Sequence, residues 1–140
     1  MAAVHVYLNF NGNCEEAFTF YKEAFGGEFS YIGKFGDMPP NENHPIAEAD
    51  KNKVMHVSFP IGETVLMGSD TGGEWASNLV VGNNFAVSIN ANSTAEADHL
   101  FTKLAAGGKV TMPMEKTFWG AYFGMFTDKF GINWMVNFDE

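Results

Sequence analysis

The sequence predicts an α+β protein of two tandem βαβββ modules, whose strands form a curved eight-stranded sheet with the helices on its outer face. Three observations carry this expectation. A helix-and-glycine unit occurs twice, about eighty residues apart: Asn13-Cys14-Glu15-Glu16-Ala17 leads through Phe20-Tyr21 to Gly26-Gly27, and Ser93-Thr94-Ala95-Glu96-Ala97 leads through Leu100-Phe101 to Gly107-Gly108. Strand-like segments with period two precede and follow each copy. The chain has 140 residues, 46% of them hydrophobic and 18% charged, enough to bury a core and too apolar for a disordered or linker-like chain.

In the first module, Val4 to Phe10 alternates, with Val6, Leu8 and Phe10 on one side and His5, Tyr7 and Asn9 on the other. One apolar face at that period predicts a half-buried strand. The helix opens at Asn13, with Glu16 three positions on as in a capping box, and ends at Gly26-Gly27. Its apolar stripe is Cys14, Ala17, Phe18, Tyr21 and Phe25. Glu28 to Phe35 is expected to be a strand, followed by a polar loop from Gly36 to about Asp50. Val54 to Phe59 and Thr64 to Met67 complete the module as a hairpin around Ile61-Gly62-Glu63.

Ser69 to Asn83, rich in Gly, Ser, Asp and Asn, is expected to connect the modules. The pattern then restarts with Phe85, Val87 and Ile89 alternating against Ala86, Ser88 and Asn90. The second helix buries Ala97, Leu100, Phe101, Leu104 and Ala105, and strands follow at Lys109 to Met114, Tyr122 to Thr127 and Asn133 to Phe138. One domain, 1–140, therefore comprises module one at about 1–70, a linker at about 71–82 and module two at about 83–140. A four-stranded sheet with one helix has a second face, and ligands belong on residues that point away from the helices.

The formal charge of −9 disfavours nucleic acid and anionic membranes as partners. No apolar run reaches the roughly 18 residues of a membrane span. The start of the chain lacks the pattern of a signal peptide. With a single Cys there is no internal disulfide, so a cytoplasmic setting is expected.

The chain resembles the vicinal oxygen chelate superfamily of glyoxalase I, bleomycin-resistance proteins and extradiol dioxygenases, and more specifically its PhnB-like branch. The resemblance rests on Tyr7-Leu8-Asn9-Phe10-Asn11-Gly12-Asn13-Cys14-Glu15-Glu16-Ala17 with Phe20-Tyr21, on Phe35-Gly36-Asp37-Met38-Pro39, and on Thr117-Phe118-Trp119 with Phe123-Gly124. Its most specific block is Thr127-Asp128-Lys129-Phe130-Gly131-Ile132-Asn133-Trp134-Met135-Val136-Asn137. It implies a homodimer or paired modules, with a cleft on the helix-free face that holds a divalent metal in catalytic members. Those members draw His, Gln or Glu ligands from the first and last strands of each module. A methyltransferase label also attaches to this branch, but no glycine-rich loop between a strand and a helix is present to seat a nucleoside cofactor.

Carried onto this sequence, the first ligand position is His5 when one extra residue is allowed near Asn11, and Val6 when none is. The gapped placement is preferred because it buries Phe10 and solvates Asn9. Thr64-Val65-Leu66-Met67-Gly68 offers no carboxylate or imidazole, and the remaining positions are Asn84 and Met135. That set suits neither a hard divalent ion nor zinc, so no metal and no cofactor are expected. His56, sharing a face with Ser58, is the candidate catalytic acid or base, the alternative being a strand histidine bonded to a neighbour. His5, Tyr7, Ser58, Trp75, Asn84, Trp119, Tyr122, Asn133 and Met135 are the candidate ligand-binding residues, and Phe118 is a further aromatic candidate. Trp134 is expected in the core. His44 and His99 are expected to be exposed, Asp37 and Asp70 to be turn formers, and Cys14 to be an inert core thiol.

Three functions follow as expectations. The first is a cleft that binds a small aromatic or amphipathic molecule without metal. The second is a metal-dependent lyase, isomerase or dioxygenase. The third is a metal-independent acid–base enzyme using His56.

Overall fold

The computed structural model describes residues 2–39, 45–72 and 78–140. Contacts divide the chain into two compact units, Met1–Val80 and Val81–Glu140. The first contains β1 (Val6–Phe10), α1 (Cys14–Phe25), β2 (Tyr31–Lys34), β3 (Val54–Ile61) and β4 (Thr64–Asp70). The second contains β5 (Val87–Asn90), α2 (Thr94–Ala105), β6 (Lys109–Lys116), β7 (Ala121–Thr127) and β8 (Asn133–Asp139). The α+β class and the tandem βαβββ modules are as the sequence predicts. The hydrogen-bond ladders run within each module, giving two four-stranded sheets ordered β1-β4-β3-β2 and β5-β8-β7-β6. In each sheet the first and last strands of the module are parallel neighbours and the other pairs are antiparallel.

Strand parity sorts the residues of the first unit. Leu8, Phe10, Val57, Phe59 and Leu66 are buried together with Cys14, Ala17, Phe18, Tyr21 and Ala24 of α1. Phe18 lies edge-on to both Phe10 and Tyr21, at 6.1 and 5.5 Å between ring centroids. In the second unit, Trp134, Val136 and Phe126 are buried with Ala97, Leu100 and Leu104 of α2. Each helix approaches its sheet at a strand glycine. A Cβ on Gly68 would lie 2.6 Å from the Phe18 ring, and one on Gly124 would lie 2.8 Å from the Phe101 ring.

The two helix starts differ. At α2 the expected cap forms, with the Glu96 amide donating to Ser93 Oγ at 3.0 Å, while Glu96 accepts from the Asn92 amide. At α1 the Asn13 side chain makes no capping bond. Asp70, the last residue of β4, replaces it. Its Oδ1 accepts the amides of Gly12 and Cys14, both at 2.9 Å, and its Oδ2 accepts that of Val54 at 2.8 Å. Asp70 is only 4% exposed, so it is a buried tie rather than a turn former. Asp128 does similar work in the second unit, accepting the amides of Phe130 and Ile132 and the Trp134 indole N–H.

Two strands start later than expected. β5 begins at Val87 rather than Phe85, because its partner β8 begins at Asn133 and the ladder's first pair is Val87 with Trp134. Phe85 is left 62% exposed. β2 begins at Tyr31 rather than Glu28, although the Ser30 amide already bonds to Ser58 O.

Replacing Asp70 by Ala leaves three amides without their carboxylate acceptor and is expected to lower unfolding free energy by about 3 kcal/mol. Urea denaturation checks this, with Glu63→Ala in the exposed β3–β4 turn as a control that changes stability by less than about 0.5 kcal/mol.

Candidate functional site

On the first sheet, the face turned away from α1 carries a connected polar and aromatic group. The register aligns Tyr7 of β1 with Met67 of β4, Met67 with Ser58 of β3, and Ser58 with Tyr31 of β2, a row across all four strands. His56, two residues before Ser58, faces the same way and stands opposite Gly33. The His56 ring bonds at both nitrogens: Nε2 is 2.8 Å from Ser58 Oγ and Nδ1 is 3.3 Å from the Tyr7 hydroxyl. One tautomer takes the Tyr7 proton at Nδ1 and donates from Nε2; the other reverses both bonds. Either way, Tyr7, His56 and Ser58 form one hydrogen-bonded chain.

Tyr31 was absent from the candidates and belongs here. Its ring lies 6.1 Å from that of His56, and Tyr7 is at 5.7 Å on the other side. Gly33 makes this possible, because a Cβ there would come within 2.8 Å of Tyr31 Cζ. The alternation of Tyr31 with Gly33 in β2 was the available signal. Tyr7 and Tyr31 remain 44% and 49% exposed, so both phenols are open to a guest.

His5 lies just before β1, and its Nδ1 accepts the Val65 amide at 3.2 Å. That bond uses the Nδ1 lone pair and leaves the neutral ring's proton on Nε2. In the second unit, Met135 and Asn133 face away from α2, and Asn133 Oδ1 accepts from Thr127 Oγ1 at 2.6 Å. Asn84 sits in a bend before β5 and is exposed. Trp119 is 60% exposed beside Phe118 and 6.3 Å from the Phe123 ring. Tyr122 is a correction. It lies on the helix side of β7, where its hydroxyl donates to Asp98 of α2 at 2.6 Å, because its neighbour Phe123 is the residue paired across the open face with Asn137. Trp75 and His44 lie outside the described residues. Asp37 caps the turn after β2 by accepting the Lys34 amide.

A model of the glyoxalase/bleomycin resistance protein/dioxygenase superfamily matches residues 3–136. The chain belongs to that superfamily. Protein YjdN of Escherichia coli K12 is 34% identical over 137 residues, covering 94% of this chain and 91% of that protein. The crystal structure of protein PA1353 from Pseudomonas aeruginosa is 41% identical, with a TM-score of 0.84 over 99% of this chain and 98% of that one. A Bacillus cereus PhnB protein, described as a putative 3-demethylubiquinone-9 3-methyltransferase, shares the fold at 24% identity and a TM-score of 0.76, over 98% and 99% of the two chains.

The superfamily's divalent metal does not fit the donors present here. His5 has its Nδ1 committed to a backbone amide, and Asn84 and Met135 supply an amide and a thioether where anionic or imidazole donors are needed. Among the described residues, no three His, Cys, Asp or Glu side chains come together. No described helix is long and apolar enough to cross a membrane.

Cys14 is fully buried at the start of α1. Burial raises its thiol pKa, and the charges of Asp70 and Glu15 raise it further. Folding thus favours the protonated thiol. This stabilisation is complete below the ordinary thiol pKa of 9.0 and is lost as pH rises beyond it, where the unfolded chain ionises and the folded one does not. At pH 8, Ellman's reagent is expected to leave the native thiol unmodified and to react once urea unfolds the chain. Nitrogen-15 NMR at the same pH is expected to find neutral His5 protonated at Nε2; the Nδ1-protonated tautomer would contradict the Val65 bond.

Proposed function

We propose that this member of the superfamily binds a small aromatic or amphipathic molecule on the helix-free face of its first sheet, without the superfamily metal. The supporting observation is the chain Tyr7–His56–Ser58, flanked by Tyr31. It places two phenols, an imidazole and a hydroxyl in one partly exposed patch around Met67. These groups donate and accept hydrogen bonds without fixed charge, and the rings offer stacking surface. Such a set suits a planar guest with one or two polar atoms. On this reading the protein is a cytoplasmic homodimer.

A second reading has a specific basis: the imidazole, bonded at 2.8 Å to Ser58 and at 3.3 Å to Tyr7, is placed to move a proton to or from a bound guest. Its signature is turnover abolished in His56→Ala with guest affinity unchanged.

Saturation-transfer NMR with a library of neutral and amphipathic aromatic fragments tests the binding proposal. Fragments are expected to shift the resonances of Tyr7, Tyr31 and His56, and His56→Ala is expected to weaken them about tenfold, or about 1.4 kcal/mol. Fragments that map only elsewhere would refute the site. Stoichiometric zinc, iron, nickel or manganese in protein purified without chelator would refute the metal-free reading.

A further inference from the structure

The second sheet carries a different chemistry on its open face. The register pairs Met112 of β6 with Met125 of β7, Met125 with Met135 of β8, and Met135 with Ser88 of β5. Three methionines therefore occupy register-paired positions on three adjacent strands. Parity fixes the side of two of them: the neighbours Phe126, Trp134 and Val136 are buried under α2, so Met125 and Met135 point the other way, while Met112, flanked by irregularities in the β6–β7 ladder, is paired with Met125 at the edge of the sheet. Met112 is 44% exposed, and the other two are half-buried.

Adjacent strands are about 4.8 Å apart, so the outer two methionines start roughly 10 Å from each other with Met125 midway. Each side chain has three rotatable bonds, enough for the sulfurs to converge above Met125. The rows on either side end in Lys109, opposite Thr127, and Glu115, opposite Phe123, so the strip holds one charge of each sign. Within the row itself the donors are thioethers and, at its far end, the Ser88 hydroxyl. Hard cations have little to hold there, whereas thioether sulfur selects a soft monovalent ion.

We propose that Met112, Met125 and Met135 form a binding site for a soft d10 cation of the copper(I) or silver(I) class. The site lies wholly in the second unit, uses no residue of the Tyr7–His56–Ser58 group, and stands or falls independently of the function proposed for the first sheet. Cys14, the chain's one thiol, belongs to the first unit and is buried, so it does not compete.

The test uses full-length protein labelled with carbon-13 at its methionine methyls, titrated anaerobically with copper(I) acetonitrile complex and, separately, with silver(I). One equivalent is expected to move the Met112, Met125 and Met135 methyl signals together while those of Met38, Met55, Met67 and Met114 stay in place. Met125→Leu, which keeps the apolar volume, is expected to weaken binding at least tenfold. Met112→Leu, at an exposed edge position where folding is not at stake, is expected to do the same. Unmoved methyls, a response that follows Cys14→Ser, or full affinity in both leucine variants would overturn the site and leave the row as an apolar floor.

Discussion

Each four-stranded sheet here has a single helix to cover it, and that constraint organises everything else. One face is sealed by an apolar stripe, and the alternation of strand residues then decides what the other face displays. In the first unit, sealing requires Phe18 against Gly68 and Phe10, which leaves Tyr7 and His56 on the reverse side. In the second, Trp134 and Phe126 under α2 leave Met125 and Met135 outward. The open faces are therefore a consequence of how the core is built, and their residue types are free to vary without disturbing it.

The two open faces have diverged in just that way. The modules share helix length, strand order and parallel closure, yet one face centres on the Tyr7–His56–Ser58 chain and the other carries a register row of methionines. The buried carboxylates also do comparable work by different routes. Asp70 joins the end of β4 to the first turn of α1 and the start of β3, whereas Asp128 acts locally, over the turn that leads into β8 and on the Trp134 indole. A tandem protein can hold its scaffold in both halves and give each half a separate surface chemistry.

Much of this was legible in the sequence because it depends on local periodicity. The alternation of Val6, Leu8 and Phe10, the stripes on both helices and the placement of Trp134 need only the neighbouring residues. What the sequence hid depends on pairing. Tyr31 joins the first site only through the β2–β3 register and the space at Gly33, and nothing in its immediate neighbours reveals either. Tyr122 is a ligand-binding candidate by its aromatic type, but the β7–β8 register places Phe123 on the open face instead. Asn13 looked like a helix cap by its type and spacing. The acceptor that does the work, Asp70, is distant in the chain and reaches the helix through the parallel pairing of β1 with β4.

The isolation of Cys14 has a practical consequence. A native thiol buried at the first residue of α1, with burial favouring its protonated form, is expected to be chemically silent in the folded molecule. A cysteine introduced at any exposed position would then be the sole labelling handle, with no need to remove the original. Pairs of such handles, one in each half, would let spectroscopic rulers measure how the two modules are set against each other in solution.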